Sequence, residues 1–129
     1  MAEHPWREVA RRAWQAVSAA DGETLAQLLA EDAVWHASGR GRHAGDYRGR
    51  RAIFDYLAGV GEDADQFDST LEDILVGDRQ TAVLFRVRGR RRGRSLDATF
   101  FLVARIEGER IAEIWSVPFD QFAVDEFWA

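Results

Sequence analysis

The sequence predicts an α+β domain, with helices gathered on one side of a strongly bent antiparallel sheet. Three observations carry that expectation. The first half holds stretches with apolar residues at helical spacing, the stretch from Thr81 to Val117 reads as three strands separated by two polar turns, and the middle strand alternates strictly. In that strand, Ser95 to Ile106, one face carries Leu96, Ala98, Phe100, Leu102, Ala104 and Ile106, and the other Asp97, Thr99, Phe101, Val103 and Arg105. Both faces hold large apolar groups. An antiparallel sheet in a small domain usually leaves one face wet, so Phe101 and Val103 call for a second covering layer: a ligand, a helix or another copy of the chain.

The elements follow in order. Pro5 suits a first helical position, and Trp6, Val9, Ala10, Ala13, Trp14 and Val17 recur at helical spacing, which predicts a helix over Pro5 to Ala19. Asp21-Gly22 breaks it and caps a second helix with Leu25, Leu28 and Leu29 as its stripe, ended by Glu31-Asp32. A short strand, Ala33 to Ala37, leads into a glycine-punctuated loop from Ser38 to Gly49, too long for a mere connector and of the kind that lines a pocket mouth. A third helix, Arg50 to Val60, places Ile53, Phe54, Leu57 and Val60 on one side, with Gly61 as its cap. Glu62, Asp63 and Asp65 mark a solvated turn. Phe67 to Val76 and Thr81 to Arg88 read as strands, the latter with Val83, Phe85 and Val87 on one face; Ile111 to Val117 is the last. The tail, Asp120 to Trp128, reads as a short helix capped by Asp120, docking Phe122, Phe127 and Trp128 on the sheet.

Composition bounds the function. With 129 residues, 47% of them hydrophobic, residues 1–129 form one domain able to bury a core and a cavity beside it. A net charge of -5 argues against nucleic acid as a partner. The chain has no Cys, which excludes disulfides, thiolate metal sites and a Cys nucleophile. The opening Met-Ala-Glu-His-Pro-Trp-Arg has no apolar signal core and no run approaches a membrane span, so the cytoplasm is the expected location and no membrane partner is expected. All 17 basic residues are Arg, so a single Arg says little about selected bidentate recognition.

Four stretches then carry a resemblance: Ala20-Asp21-Gly22 before Leu25 to Leu29, Glu31-Asp32-Ala33-Val34-Trp35-His36, Gly45-Asp46-Tyr47-Arg48-Gly49, and Gly108-Glu109-Arg110-Ile111-Ala112-Glu113-Ile114-Trp115. Together they resemble the SnoaL-like polyketide cyclases, within the superfamily of nuclear transport factor 2 and the ketosteroid isomerases. The resemblance spans nearly the whole chain. It implies a cone-shaped, barrel-like α+β fold whose bent sheet is wrapped by about three helices. It also implies cofactor-independent chemistry, with no cofactor, on a small hydrophobic or polyketide-like molecule, and such a fold hosts enzymes, binding proteins and adaptors alike.

Residue by residue, the chemistry does not carry over. Isomerase-type relatives use a Tyr on the first helix, a carboxylate at the end of the first strand and an acid on the central strand, places that fall at Ala13, Ala37 and Leu102. The cyclases use a His and an Asp at places that fall at Leu102 and Ser116. An aliphatic side chain cannot transfer a proton, and an unactivated serine is no base near neutrality.

What remains near the expected pocket is weighed against plainer readings. His36, beside the base position, titrates near physiological pH and is a candidate for proton transfer, although a His on a short strand is more often a packing or surface residue. Tyr47 and His43 lie in the glycine-rich loop, where they either close over a ligand or anchor the loop; Ser116 completes the catalytic candidates His36, Tyr47 and Ser116. Trp14, Trp35, Phe54, Tyr56, Phe100, Leu102 and Ile114 are the candidate ligand-binding wall, although aromatic stripes are more often plain core. The cluster Arg86, Arg88, Arg90, Arg91, Arg92 and Arg94 reads as a solvated hairpin tip rather than a phosphate-binding patch. Glu31-Asp32 and Glu62-Asp63 with Asp65 lack His at ligand spacing, so no metal is expected, and Gly39-Arg40-Gly41 lacks the spacing and lysine of a phosphate loop.

The expected function is therefore binding of a small hydrophobic molecule in an apolar pocket, with cyclisation, isomerisation or hydration as the candidate reactions. The alternative is a non-catalytic binding or assembly module. A homodimer is expected through the face bearing Thr99, Phe101, Val103, Trp115 and Val117, because so few helices cover only one face of the sheet.

Overall fold

In the computed structural model, Pro5 opens α1 (Pro5–Ser18) from its first turn, where the missing N–H has no helical partner, and the His4 imidazole accepts from the Trp6 amide at 3.1 Å. The structure describes residues 4–129; Met1–Glu3, the start of the segment read above as lacking a signal core, lie outside the described residues. Val9, Ala10 and Ala16 form the buried stripe of α1. The Asp21 carboxylate caps α2 (Gly22–Leu28) by accepting from the Thr24 amide at 3.1 Å. This helix stops earlier than the sequence reading has it. Leu29, fully buried, already begins β1 (Leu29–Ala37), so Glu31-Asp32 lie exposed on a strand and do not terminate the helix.

The long loop is shorter than expected, because Gly45–Arg48 forms a strand, β2, that pairs antiparallel with Val34 to Ala37. α3 (Arg50–Asp63) runs past Val60, with Gly61 inside it rather than capping it. Four longer strands and a last helix complete the chain: β3 (Gln66–Val76), β4 (Thr81–Arg91), β5 (Arg94–Glu107), β6 (Arg110–Pro118) and α4 (Gln121–Phe127). Asp120 caps α4 through the Ala123 amide at 3.1 Å. Between β4 and β5, Arg92 and Gly93 both have positive φ (49° and 78°), as a two-residue hairpin of matching twist requires.

The sheet runs β2-β1-β6-β5-β4-β3. It is open rather than a closed barrel, and one of its pairings departs from the antiparallel expectation: β1 and β6 run parallel, with Ala37 beside Ser116. The chain between them includes a helix and four strands, so nothing short ties their directions, whereas the successive hairpins from β3 to β6 must be antiparallel. A bulge at Ala112 in β6 lets Ile111 and Ile114, three residues apart, both face inward.

Among the described residues, all four helices pack on the face that carries Leu96, Ala98, Phe100, Leu102, Ala104 and Ile106 of β5. Among the described residues the core has two clusters, one under α1, α2 and α3 and the other under α1, the C-terminal part of α3 and α4, and Leu102 packs against both. Phe127 and Trp128 are buried in the second as expected, whereas Phe122 is 89% exposed, on the far side of α4 from the sheet. A Cβ on Gly89 would lie 3.1 Å from the Phe127 ring, so glycine there lets α4 sit close on β4. Arg91 is not solvated with the rest of its cluster. It continues the inward phase of Val83, Phe85, Val87 and Gly89, and it is 1% exposed. No helix among the described residues is long and apolar enough to cross a membrane.

Candidate functional site

Ala37, Ser116 and Leu102 stand in one row across β1, β6 and β5 on the helix-covered face. Most of the space above the sheet is filled by rings. Trp14 meets Phe85 at 5.1 Å between centroids, Phe85 stacks on Phe100 at 5.3 Å, Trp35 meets Tyr56 at 5.5 Å, and Tyr56 stacks on Tyr47 at 4.4 Å. What remains is a cavity of about 60 Å³ at the end of the row. Ala37, Ser116, Pro118 and Phe100 form its floor, and Phe67 lies at one side. α3 contributes Tyr56 and Val60, α4 contributes Val124, Asp125 and Trp128, and the 38–44 loop closes it with Ser38, Gly41, His43 and Ala44. Pockets that engulf a drug-sized ligand run to roughly 300–1,000 Å³ and an enclosed cavity that holds one benzene to about 150 Å³, so this one takes part of a ring or the end of a longer molecule.

The polar part of the wall lies on the loop and α4. His43 Nε2 is 2.9 Å from Asp63 Oδ2 at the C-terminal end of α3, and the His43 ring meets Trp128 edge-on at 4.5 Å. Two arginines brace the same carboxylate oxygen: Arg42 Nε at 3.2 Å and Arg91 Nε at 3.4 Å. Burial alone would raise the Asp63 carboxyl, but the His43 hydrogen bond and the two guanidinium charges outweigh it and hold the group below its ordinary value. Arg91 also donates to the carbonyls of Phe127 at 3.3 Å and Ala129 at 2.9 Å, which ties α4 to β4. Across the cavity, Asp125 Oδ1 accepts from the Arg40 amide and from Gln121 Nε2, each at 3.0 Å. The Ser38 hydroxyl lies 2.8 Å from the Ser116 carbonyl and 2.7 Å from Gln121 Oε1. Burial pushes the Tyr56 phenol up, so it is a neutral hydroxyl at physiological pH.

The residues singled out in the sequence are divided by the fold. Tyr56, Phe100 and Ser116 line the cavity. Trp14, Trp35, Phe54, Leu102 and Ile114 are packed into the two core clusters around it, and Tyr47 lies behind Tyr56 with its hydroxyl donated to the His43 carbonyl at 2.7 Å. His36 is elsewhere: on a strand, neighbours face opposite ways, and with Trp35 turned inward His36 lies on the outer face. There it stacks on Trp115 at 5.5 Å, with Nδ1 2.7 Å from Asp46 and Nε2 2.5 Å from Glu113. Those two hydrogen bonds, Asp46 first, raise its pKa against a smaller effect of burial. Glu113, held below its ordinary value chiefly by His36, also takes Arg105 at 3.3 Å.

Asp63, Asp125 and Trp128 are the wall and bracing groups that the sequence reading did not assign to the site. The inward phase of Arg91 on β4 is the one signal that pointed toward Asp63, since a buried guanidinium needs a counter-charge. Among the described residues no three His, Asp or Glu side chains converge as a metal-binding group.

With this geometry in view, the chain is similar to several known proteins. It is 30% identical over 127 residues to the uncharacterized protein Rv0034 of Mycobacterium tuberculosis (strain H37Rv), covering 95% of each chain. Among solved structures, Bal32a from a soil-derived mobile gene cassette superposes with a TM-score of 0.91 at 32% identity, covering 97% of both chains. A nuclear transport factor 2-like protein from Burkholderia xenovorans LB400 superposes at 0.85 with 16% identity, covering 100% of this chain and 99% of that one, a likeness of fold alone. The model of the SnoaL-like domain matches residues 10–114, from the buried stripe of α1 to the inward-facing Ile114 of β6, and this chain belongs to the SnoaL-like domain family.

Proposed function

We propose that the protein binds a small, largely apolar molecule in the cavity between α3, α4 and the sheet, by contact rather than by proton transfer along the Ala37–Ser116–Leu102 row. The observation that carries this is the cavity wall itself: Tyr56, Phe67, Phe100 and Trp128 offer ring surfaces, while His43 and Ser38 of the loop and Asp125 of α4 are polar members of the wall. Membership of the SnoaL-like domain family supports a small-molecule ligand. The row where relatives would place acid and base carries two aliphatic side chains and a serine, which supports binding over the isomerase and cyclase mechanisms. Ala37→Leu tests the reading, since it fills the floor with branched aliphatic bulk. Binding of a one-ring aromatic such as toluene, followed by Trp fluorescence, falls at least about tenfold while the thermal transition stays cooperative. Undiminished binding in that variant would put the ligand elsewhere.

The same reading has a second copy of the chain covering the outer face of the sheet. Phe101 and Phe119 meet there at 5.4 Å, and Val117 and Phe119 are 45% and 65% exposed. Charged pairs flank this apolar strip on both sides, Arg86 with Asp97 and Arg105 with Glu113, an arrangement that suits a two-fold, self-complementary contact. A stable contact of this kind buries about 1,200–2,000 Å² in total.

A further inference from the structure

We infer that His43, held by Asp63, is the hydrogen-bond acceptor of the cavity, and that the ligand is a small neutral hydroxylated aromatic, a phenol, rather than a carboxylate or other anion. This rests on the reading of the cavity as the ligand site. Asp63 can only accept, so the proton between it and His43 sits on Nε2, and in the neutral ring Nδ1 is left as an acceptor on a residue that lines the cavity. The edge-on contact with Trp128 fixes the ring, and the carboxylate that orients it is itself braced by Arg42 and the buried Arg91. Both guanidiniums are directed at Asp63, and among the described residues no arginine lines the cavity.

The other polar groups point the same way. Asp125 is a wall residue whose carboxylate accepts from the Arg40 amide and Gln121 Nε2, and the Ser38 hydroxyl proton is used by the Ser116 carbonyl or Gln121 Oε1. An anionic ligand would therefore face a fixed negative charge with no counter-ion beside it, whereas a hydroxyl donor finds acceptors. The rings of Phe67, Phe100, Tyr56 and Trp128 suit an aromatic body, and a volume of about 60 Å³ takes in no more than part of one ring, against about 150 Å³ for a cavity that encloses benzene.

The test compares three one-ring probes that differ in a single group, p-cresol, toluene and p-toluate, titrated into the full chain by calorimetry and by chemical-shift mapping. The expected result is p-cresol about tenfold tighter than toluene, the contribution of one net hydrogen bond, with p-toluate the weakest. His43→Leu removes the acceptor and keeps apolar bulk, so it erases the preference for p-cresol while toluene still binds. Asp63→Asn, which frees the ring to turn, reduces the preference in the same sense. Equal binding of p-cresol and toluene, tightest binding of p-toluate, or a preference that survives His43→Leu would overturn the inference and leave the cavity reading standing. Absence of binding by all three, with no shifts at Tyr56 or Phe100, would overturn both.

Discussion

Trp35 and His36 are neighbours on β1 that serve opposite faces of the sheet: Trp35 is buried against Tyr56, and His36 stacks on Trp115 with a carboxylate on each ring nitrogen. His36 therefore faces away from the cavity, and its expected effect is on stability. Its folded-state pKa is raised, so its stabilising contribution is fully present below the unfolded value of about 6.5 and is lost as pH rises through the folded value. Glu113 is shifted down, so its contribution is present above its unfolded value and lost as pH falls through the folded one. Urea midpoints should decline as pH rises above about 6.5. His36→Gln should flatten that decline and leave toluene binding unchanged. A wild-type decline that persists in the variant would assign it to another group.

Arg91 is where charge and burial conflict most. Arg91→Met keeps much of the apolar stem but strands the Phe127 and Ala129 carbonyls and removes a counter-charge from Asp63. A loss of about 2–3 kcal/mol is expected in urea unfolding. Arg90→Met, an exposed neighbour on the same strand, should change stability by less than about 0.5 kcal/mol. Similar effects of the two variants would mean that Arg91 is solvated after all.

Leu102 packs against both core clusters and pairs with Val83 on one side and Ser116 on the other. Leu102→Asp places a carboxylate there with no cation beside it, and a loss of about 3 kcal/mol or more is expected unless the group takes up a proton. A mild effect across the neutral range would contradict the inward register of β5.

On the outer face, Phe101→Arg and Val117→Arg each put a charge into the strip that a second copy is proposed to cover. Sedimentation should find the wild-type chain dimeric at micromolar concentration and the variants monomeric with intact circular dichroism. A monomeric wild type would remove the dimer from the account without touching the cavity.

The sheet was legible because burial imposes a period of two. The alternation of β5 identified its two faces residue by residue, and the same parity on β4 and β1 shows why Arg91 is buried and His36 is not, once phase is given more weight than residue type. The helix ends were less legible, since Leu28 and Leu29 are both apolar and only the pairing of Leu29 with Ile111 makes it a strand residue. β2 has only four residues and reads as loop because its pairing partner is its only signal. The contact between His43 and Asp63 has no periodic trace at all: it joins a loop to a helix end, and tertiary packing alone brings the two together.

Mapping of the bound ligand tests the central claim most directly. In isotope-labelled protein titrated with p-cresol, the account predicts chemical-shift changes at Tyr56, Phe100, Ser116 and Trp128, and none at His36 or Trp115. Changes confined to Phe101, Trp115 and Val117, or none at saturating probe, would contradict it.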